Sequence, residues 1–185
     1  MNIFSRLGAF FLDMLQVIVF AVSIFLFIYL LVMQPHKIKG SSMEPDFHDA
    51  EYLLTDKVSY RFGNPKHGDV IVFKAPPDYK DEFIKRIIGI PGDKVMVKGG
   101  KVYVNGSQIS EPYLIPNQYT SAGVVATEGT GLTVPANNYM VMGDNRDHSY
   151  DGRNFGFIDR SKINGRAWIV YWPPQSAGIV KSFTF

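Results

Sequence analysis

From Met14 to Met33 the chain runs almost without interruption as apolar side chains, with Gln16 and Ser23 its only clearly polar members. About twenty such residues in a helix span roughly 30 Å, the thickness of a bilayer's hydrocarbon core. A core helix of a globular domain is usually shorter. A cleavable leader would have a shorter apolar region ending in small residues. Here the stretch ends Val32-Met33-Gln34-Pro35-His36, with no Ala-x-Ala pattern. The expectation is an uncleaved, single-pass anchor. Arg6 and the free amino terminus favour an inside amino terminus, whereas Lys37 and Lys39 argue weakly the other way, so charge alone leaves the orientation open.

The anchor divides the chain of 185 residues. Residues 1–35 form a tail and membrane segment. Residues 36–185 are enough for one domain with a real core. With 46% hydrophobic and 19% charged residues, disorder is excluded. A net charge of +2 without a Lys/Arg run speaks against nucleic acid as a partner. Cysteine is absent, which removes disulfides, zinc-thiolate sites and cysteine nucleophiles.

The remainder reads as mainly β, an antiparallel sheet domain behind one transmembrane helix. Tyr52-Leu53-Leu54, Val70 to Phe73, Phe83 to Ile88, Tyr139 to Met142 and Ala167 to Trp172 are short, rich in β-branched and aromatic residues, and bounded by Gly, Pro or Asn. Val95 to Val104 contains Gly99-Gly100 and is followed by Asn105-Gly106, which predicts consecutive tight hairpins. A hairpin-rich excursion is expected around residues 94–138. Its part from Glu111 to Asn138, rich in Pro, Gly, Thr and Asn, reads as a loop with few packing constraints.

Three features carry chemistry. Ser42 lies in Gly40-Ser41-Ser42-Met43-Glu44-Pro45, just after the anchor. Glycine lets the backbone approach a ligand and proline fixes the chain beyond it. Amide groups of such a turn can receive an oxyanion, although the hexapeptide also suits an ordinary surface turn. Lys85 shares a strand face with Phe83 and Ile87. Burial there would lower its pKa and make a neutral amine, a general base, accessible near neutral pH. A lysine reaching past a sheet edge into water has the same pattern. The third feature is the charged run Gly143 to Arg153, either a solvated turn or a rigid polar scaffold whose Ser149 could hydrogen-bond an amine. His36, His48, His67 and His148 are scattered, and a triad with His148 as base stays open. No histidine pair has metal-ligand spacing, so neither metal nor cofactor is expected.

Four blocks occur in a fixed order behind the anchor: Gly40 to Pro45, Gly68-Asp69-Val70-Ile71-Val72-Phe73, Phe83 to Asp93, and Gly143 to Gly156. On these residues the chain resembles the bacterial type I signal peptidases, membrane-anchored Ser-Lys proteases that remove signal peptides from exported preproteins after Ala-x-Ala-like sites. The resemblance implies Ser42 as nucleophile, Lys85 as general base and Ser149 as the group that orients the Lys85 amine. It implies ion pairs of Asp144 with Arg86 and of Asp151 with Arg153. It also implies an oxyanion hole from the Ser42 N–H with a main-chain contribution at Gly40, and small substrate pockets lined by Ile38, Met43, Phe47 and Ile84. The implied partners are preprotein signal peptides and membrane lipid, near the secretion translocon. The amino terminus would be inside and the catalytic domain extracytoplasmic. The chain departs from the family pattern at Asp46, where a threonine is usual, at His148, where asparagine is common, and at Gly152, where serine is common. A membrane-tethered binding domain accounts for anchor and strands but not for the serine turn together with a lysine on an apolar strand face. Self-cleaving Ser-Lys repressors lack the anchor.

Overall fold

The structure, a computed structural model, describes residues 3–185. Ile3–Leu31 is one helix, α1. Its stretch Arg6–Leu31 is long and apolar enough to cross a membrane, and none of it is buried against the rest of the chain. At 1.5 Å per residue that stretch measures about 39 Å, more than a hydrocarbon core requires. The sequence had placed the span at Met14 to Met33. The helix instead begins earlier, tolerating Asp13, and stops sooner because Met33 already belongs to a strand. The free amino terminus used in the orientation argument lies outside the described residues.

β1 (Met33–Lys37) pairs antiparallel with β2 (Tyr52–Asp56), Lys37 opposite Tyr52. One helical turn, α2 (Ser59–Phe62), precedes β3 (Val70–Lys74) and β4 (Glu82–Gly89). Then come β5 (Lys94–Lys98), β6 (Lys101–Val104), β7 (Ser107–Gln108) and β8 (Gly131–Thr133). The chain ends with β9 (Asn138–Met142), the turn α3 (Gly152–Phe155), β10 (Ile158–Asp159), β11 (Ile163–Trp172) and β12 (Gly178–Ile179). The large sheet has the order β1-β2-β11-β3-β4-β9-β10, with β12 on β11; the small one has β7-β6-β5-β8. All pairings are antiparallel. The fold is therefore mainly β, as the short β-branched runs indicate.

The hairpin turns follow from backbone chemistry. Gly99 and Gly100 have φ of 58° and 75°, and Asn105 and Gly106 have 53° and 86°, the positive values that two-residue primed turns require. Between Glu111 and Asn138 the reading of a loosely packed loop was wrong. Tyr113, Thr120, Ala126 and Val134 are buried, and β8 joins the small sheet. Turn-rich composition hides packing when anchoring side chains are isolated rather than periodic.

β4 shows no apolar/polar alternation because both of its faces are covered. Ile84 packs with Ile38, Met43, Phe47 and Leu53, whereas Ile87 packs with Ile71, Phe73 and Val141. Three strands separate β1 from β4 in the sheet order. Even so, His36 Nδ1 of β1 lies 2.9 Å from Glu82 Oε2 of β4. The sheet thus curls until its β1 edge faces β4, and a cleft runs between them.

Candidate active site

The cleft has a volume of about 760 Å³ and is walled by residues 34–39 on one side and 80–85 on the other, with Ser42 in its lining. Both walls carry free backbone edges. Among the described residues β1 pairs with β2 alone, and β9 joins β4 only from Arg86 onward, which leaves one edge of Glu82 to Lys85 outside the sheet ladder.

Lys85 reaches the cleft from β4 and is only 3% exposed. Its Nζ donates to Ser42 Oγ at 2.6 Å and to the Ile84 carbonyl at 2.9 Å. Among the described residues no carboxylate lies within ion-pair distance of this amine. Burial lowers its pKa from 10.5 to about 8; the more distant Asp151 and Asp144 oppose the shift and Arg153 adds to it.

Ser42 is placed by a turn closed from Glu44 N–H to the Ser41 carbonyl and from Phe47 N–H to the Met43 carbonyl. Asn145 clamps that turn from the charged loop, its N–H on the Ser42 carbonyl at 3.0 Å and its side-chain amide on the Ser41 carbonyl at 3.1 Å. The loop approaches so closely that a Cβ on Gly143 would lie 2.5 Å from the Ser42 carbonyl oxygen and 2.2 Å from Ser149 Oγ. The Ser42 N–H has no intramolecular partner among the described residues.

Behind the pair lies a buried ionic scaffold. Arg86, fully buried, grips Asp144 through Nε–Oδ1 at 2.9 Å and Nη2–Oδ2 at 2.6 Å. Its guanidinium also stacks 4.2 Å from the Tyr113 ring centroid. Arg153 binds Asp151 twice at 2.9 Å, and Asp151 accepts the Gly143 N–H at 2.9 Å. Burial pushes the Asp151 carboxyl up, but Arg153 and the Gly143 N–H outweigh it and hold it below the usual range. Such pairs fix geometry more than they add stability.

Not every residue lands where the resemblance puts it. Ser149 Oγ is buried without a hydrogen-bond partner among the described residues, and the Lys85 amine bonds to Ser42 and Ile84 instead. Gly40 N–H, the expected second oxyanion donor, is taken by Asp49 Oδ1 at 2.7 Å. Ile38 and Ile84 line the cleft, joined by Leu53 and Val72. Met43 and Phe47 do not, because the turn after Ser42 directs both into the core beneath it. No histidine touches Ser42: His36 meets Glu82, His48 meets Glu51, His67 meets Asp93, and His148 is exposed. Ser42 therefore has Lys85, and no histidine, as its side-chain partner in this structure.

Sequence reasoning missed several members. Besides Asn145 and Asp49, Arg146 is buried and binds Glu111, Thr120 Oγ1 at 2.8 Å and the Gly143 carbonyl at 3.0 Å. Asp46, one of the departures, lies 3.4 Å from Arg86 Nη2. Charge density in the Gly143 to Arg153 run was the available signal, but it does not separate a buried arginine from a solvated one. Among the described residues no group of three or more His, Asp or Glu side chains is arranged to hold a metal ion.

A buried amine hydrogen-bonded to a serine hydroxyl, inside a cleft with free strand edges, is an arrangement suited to a serine hydrolase. The family model for signal peptidase, peptidase S26, matches residues 11–172, and the chain belongs to that family of signal-peptide-cleaving serine proteases. It is 39% identical over 175 residues to a probable signal peptidase I-2 of Synechocystis sp., covering 91% of this chain and 77% of that one. It is 37% identical to a signal peptidase I of Bacillus licheniformis, covering 87% and 88%. Staphylococcus aureus signal peptidase IB is 38% identical, covering 77% and 79%. A signal peptidase I crystal structure from Enterococcus faecalis aligns at 31% identity and a TM-score of 0.47, over 56% of this chain and 97% of that one.

Proposed function

We propose that this protein is a membrane-bound endopeptidase that cuts signal peptides from exported preproteins through a Ser42–Lys85 dyad. The observation that carries this reading is the 2.6 Å contact between a desolvated amine and a serine hydroxyl in the cleft. With a pKa of about 8, roughly one Lys85 in ten is neutral at pH 7. That fraction takes the Ser42 proton as Oγ attacks the scissile carbonyl. The Ser42 N–H receives the developing oxyanion. Lysine, now protonated, gives its proton to the leaving amine, and an acyl-enzyme remains on Ser42. Lys85, neutral again, activates water to release the product. Arg86–Asp144 and Arg153–Asp151 hold the loop, and Asn145 holds the nucleophile turn.

The substrate fits as an added strand. An extended peptide in the cleft meets backbone N–H and C=O groups of β1 on one side and of Glu82 to Lys85 on the other, where the Ile84 carbonyl also accepts from Lys85. Its side chains alternate, and those pointing inward meet Ile38, Leu53, Val72 and Ile84. Crowded branched walls of this kind suit small residues, in keeping with Ala-x-Ala cleavage sites. α1 spans the bilayer with its amino terminus inside and the catalytic domain extracytoplasmic, near the secretion translocon. Confinement of enzyme and signal peptide to one membrane raises their encounter frequency.

Rapid acid quenching of the full-length protein with a preprotein tests the reading. Peptide mapping should find the acyl group on Ser42. Acylation at another residue, or cleavage with Ser42 never modified and dispensable, would remove the proposal.

A further inference from the structure

A second cavity, of about 560 Å³, lies at the carboxyl end of α1 and is lined by Leu30 of the last helical turn together with Lys57, Arg61, Lys74 and Arg160. Among the described residues none of these four cations is within ion-pair distance of a carboxylate. Glu82, the one acidic residue in the lining, is already engaged by His36 and Asn164. Four unpaired cations around one cavity repel each other, an arrangement that a fold sustains more easily with an anion between them.

The cavity's height follows from its contacts with the helix. Lys57 Nζ donates to the Leu30 carbonyl at 3.5 Å, and Lys57 N–H to the Val32 carbonyl at 3.0 Å. The ammonium thus caps the carbonyl end of α1, where the helix dipole favours a cation. Arg160 is fixed by bonds to the Tyr60 and Gly63 carbonyls, which aims a preset guanidinium rather than a mobile one. Phe62, next to Arg61 in α2, is 89% exposed, the kind of uncovered aromatic that settles at a membrane interface.

We propose that this cavity binds the phosphate of an anionic phospholipid headgroup. The inference rests on the reading that α1 spans the bilayer, because the end of the span brings the cavity to headgroup level. It does not depend on Ser42 or Lys85. A free phosphate offers the same oxyanion, but the membrane supplies the lipid at high local concentration beside Leu30. A lipid held there would set the height of the cleft above the bilayer, since Gln34 and Glu82 line both cavities.

The test is native mass spectrometry of the full-length, detergent-solubilised protein titrated with phosphatidylglycerol or phosphatidylcholine. The expected result is one phosphatidylglycerol retained in clear preference to phosphatidylcholine. Arg61→Gln with Lys74→Gln should weaken that retention by roughly 30-fold, the factor carried by two interfacial charges. Among the described residues neither side chain makes a hydrogen bond, and cleavage of a soluble peptide by the double variant reports folding. Equal retention of the two lipids by the wild type overturns the proposal whether or not the variant folds. Displacement of the lipid by millimolar inorganic phosphate overturns the headgroup as the source and leaves a soluble-anion site. Alkaline extraction of the protein from vesicles identifies the separate failure in which α1 does not span, and that result overturns both readings.

Discussion

Asn145 holds Ser42 from the neighbouring loop, with its N–H on the Ser42 carbonyl at 3.0 Å and its side-chain amide on the Ser41 carbonyl at 3.1 Å. The Ser42 turn is therefore positioned by a residue about a hundred positions away in sequence. Asn145→Ala keeps the backbone bond and loses the side-chain one. Stability should fall by about 1 kcal/mol. kcat should fall roughly tenfold with KM little changed, because the serine loses alignment rather than substrate contacts. Steady-state cleavage of a preprotein measures both constants.

Gly143 leaves no room for a side chain. A Cβ there would lie 2.5 Å from the Ser42 carbonyl oxygen, which is backbone and cannot rotate away. Gly143→Ala should displace the turn and reduce kcat/KM by on the order of 100-fold, the effect of a misplacement near 1 Å. Circular dichroism should show a folded protein. Full activity in the variant would mean that the loop does not press on the Ser42 turn.

With Lys85 as the proposed base, activity and stability depend on pH in linked ways. Its amine titrates near 10.5 when free and at about 8 in the folded protein. Cleavage should increase as pH rises toward 8 and level off above it. For stability, both states are protonated below pH 8 and the folded state carries the whole burial cost. Between about 8 and 10.5 only the folded state has released its proton, so stability rises with pH; above 10.5 no further change follows. The cost is about 3 kcal/mol. Lys85→Met, similar in shape and uncharged, should be inactive yet more stable than wild type by up to that amount at pH 7. The advantage should shrink through pH 8 to 10.5, as measured by denaturation in detergent.

Two aspartates face Arg86 with different consequences. Asp144 is buried and bidentate, so Asp144→Ala leaves an uncompensated guanidinium and should cost about 3–5 kcal/mol. The Asp46 side chain is 39% exposed and lies 3.4 Å away. Solvent screening reduces its contribution, and Asp46→Ala should change stability by less than about 1 kcal/mol. Denaturation midpoints of the two variants make the comparison.

What could be read in advance depended on how local the signal was. β4 was visible because Phe83 to Ile88 is a branched apolar run, and Lys85 stood out as a cation within it. Arg86, equally buried, did not stand out from composition; only the resemblance paired it with Asp144. The proximity of Ser42 to Lys85 requires the sheet to curl until β1 faces β4, and no residue near either one encodes that curl. Tyr113, Thr120 and Arg146 were missed for a related reason. Each is a single buried side chain in a polar, turn-rich segment, so neither a period of two nor of 3.6 marks it. Asp49 was missed because its partner is a backbone N–H, and sequence does not show which amides are taken. Met43 and Phe47 were placed in the substrate pocket because the turn's direction, which sends them into the core, is a property of its hydrogen bonds.

The most direct measurement compares cleavage of an Ala-x-Ala preprotein by wild type, Ser42→Ala, Lys85→Ala and His148→Ala. The expected result is loss of cleavage in both Ser42→Ala and Lys85→Ala, with substantial activity kept in His148→Ala, whose imidazole is exposed and makes no contact with Ser42. Cleavage that survives Lys85→Ala but is abolished by His148→Ala in a folded protein would contradict the dyad and assign the base to histidine.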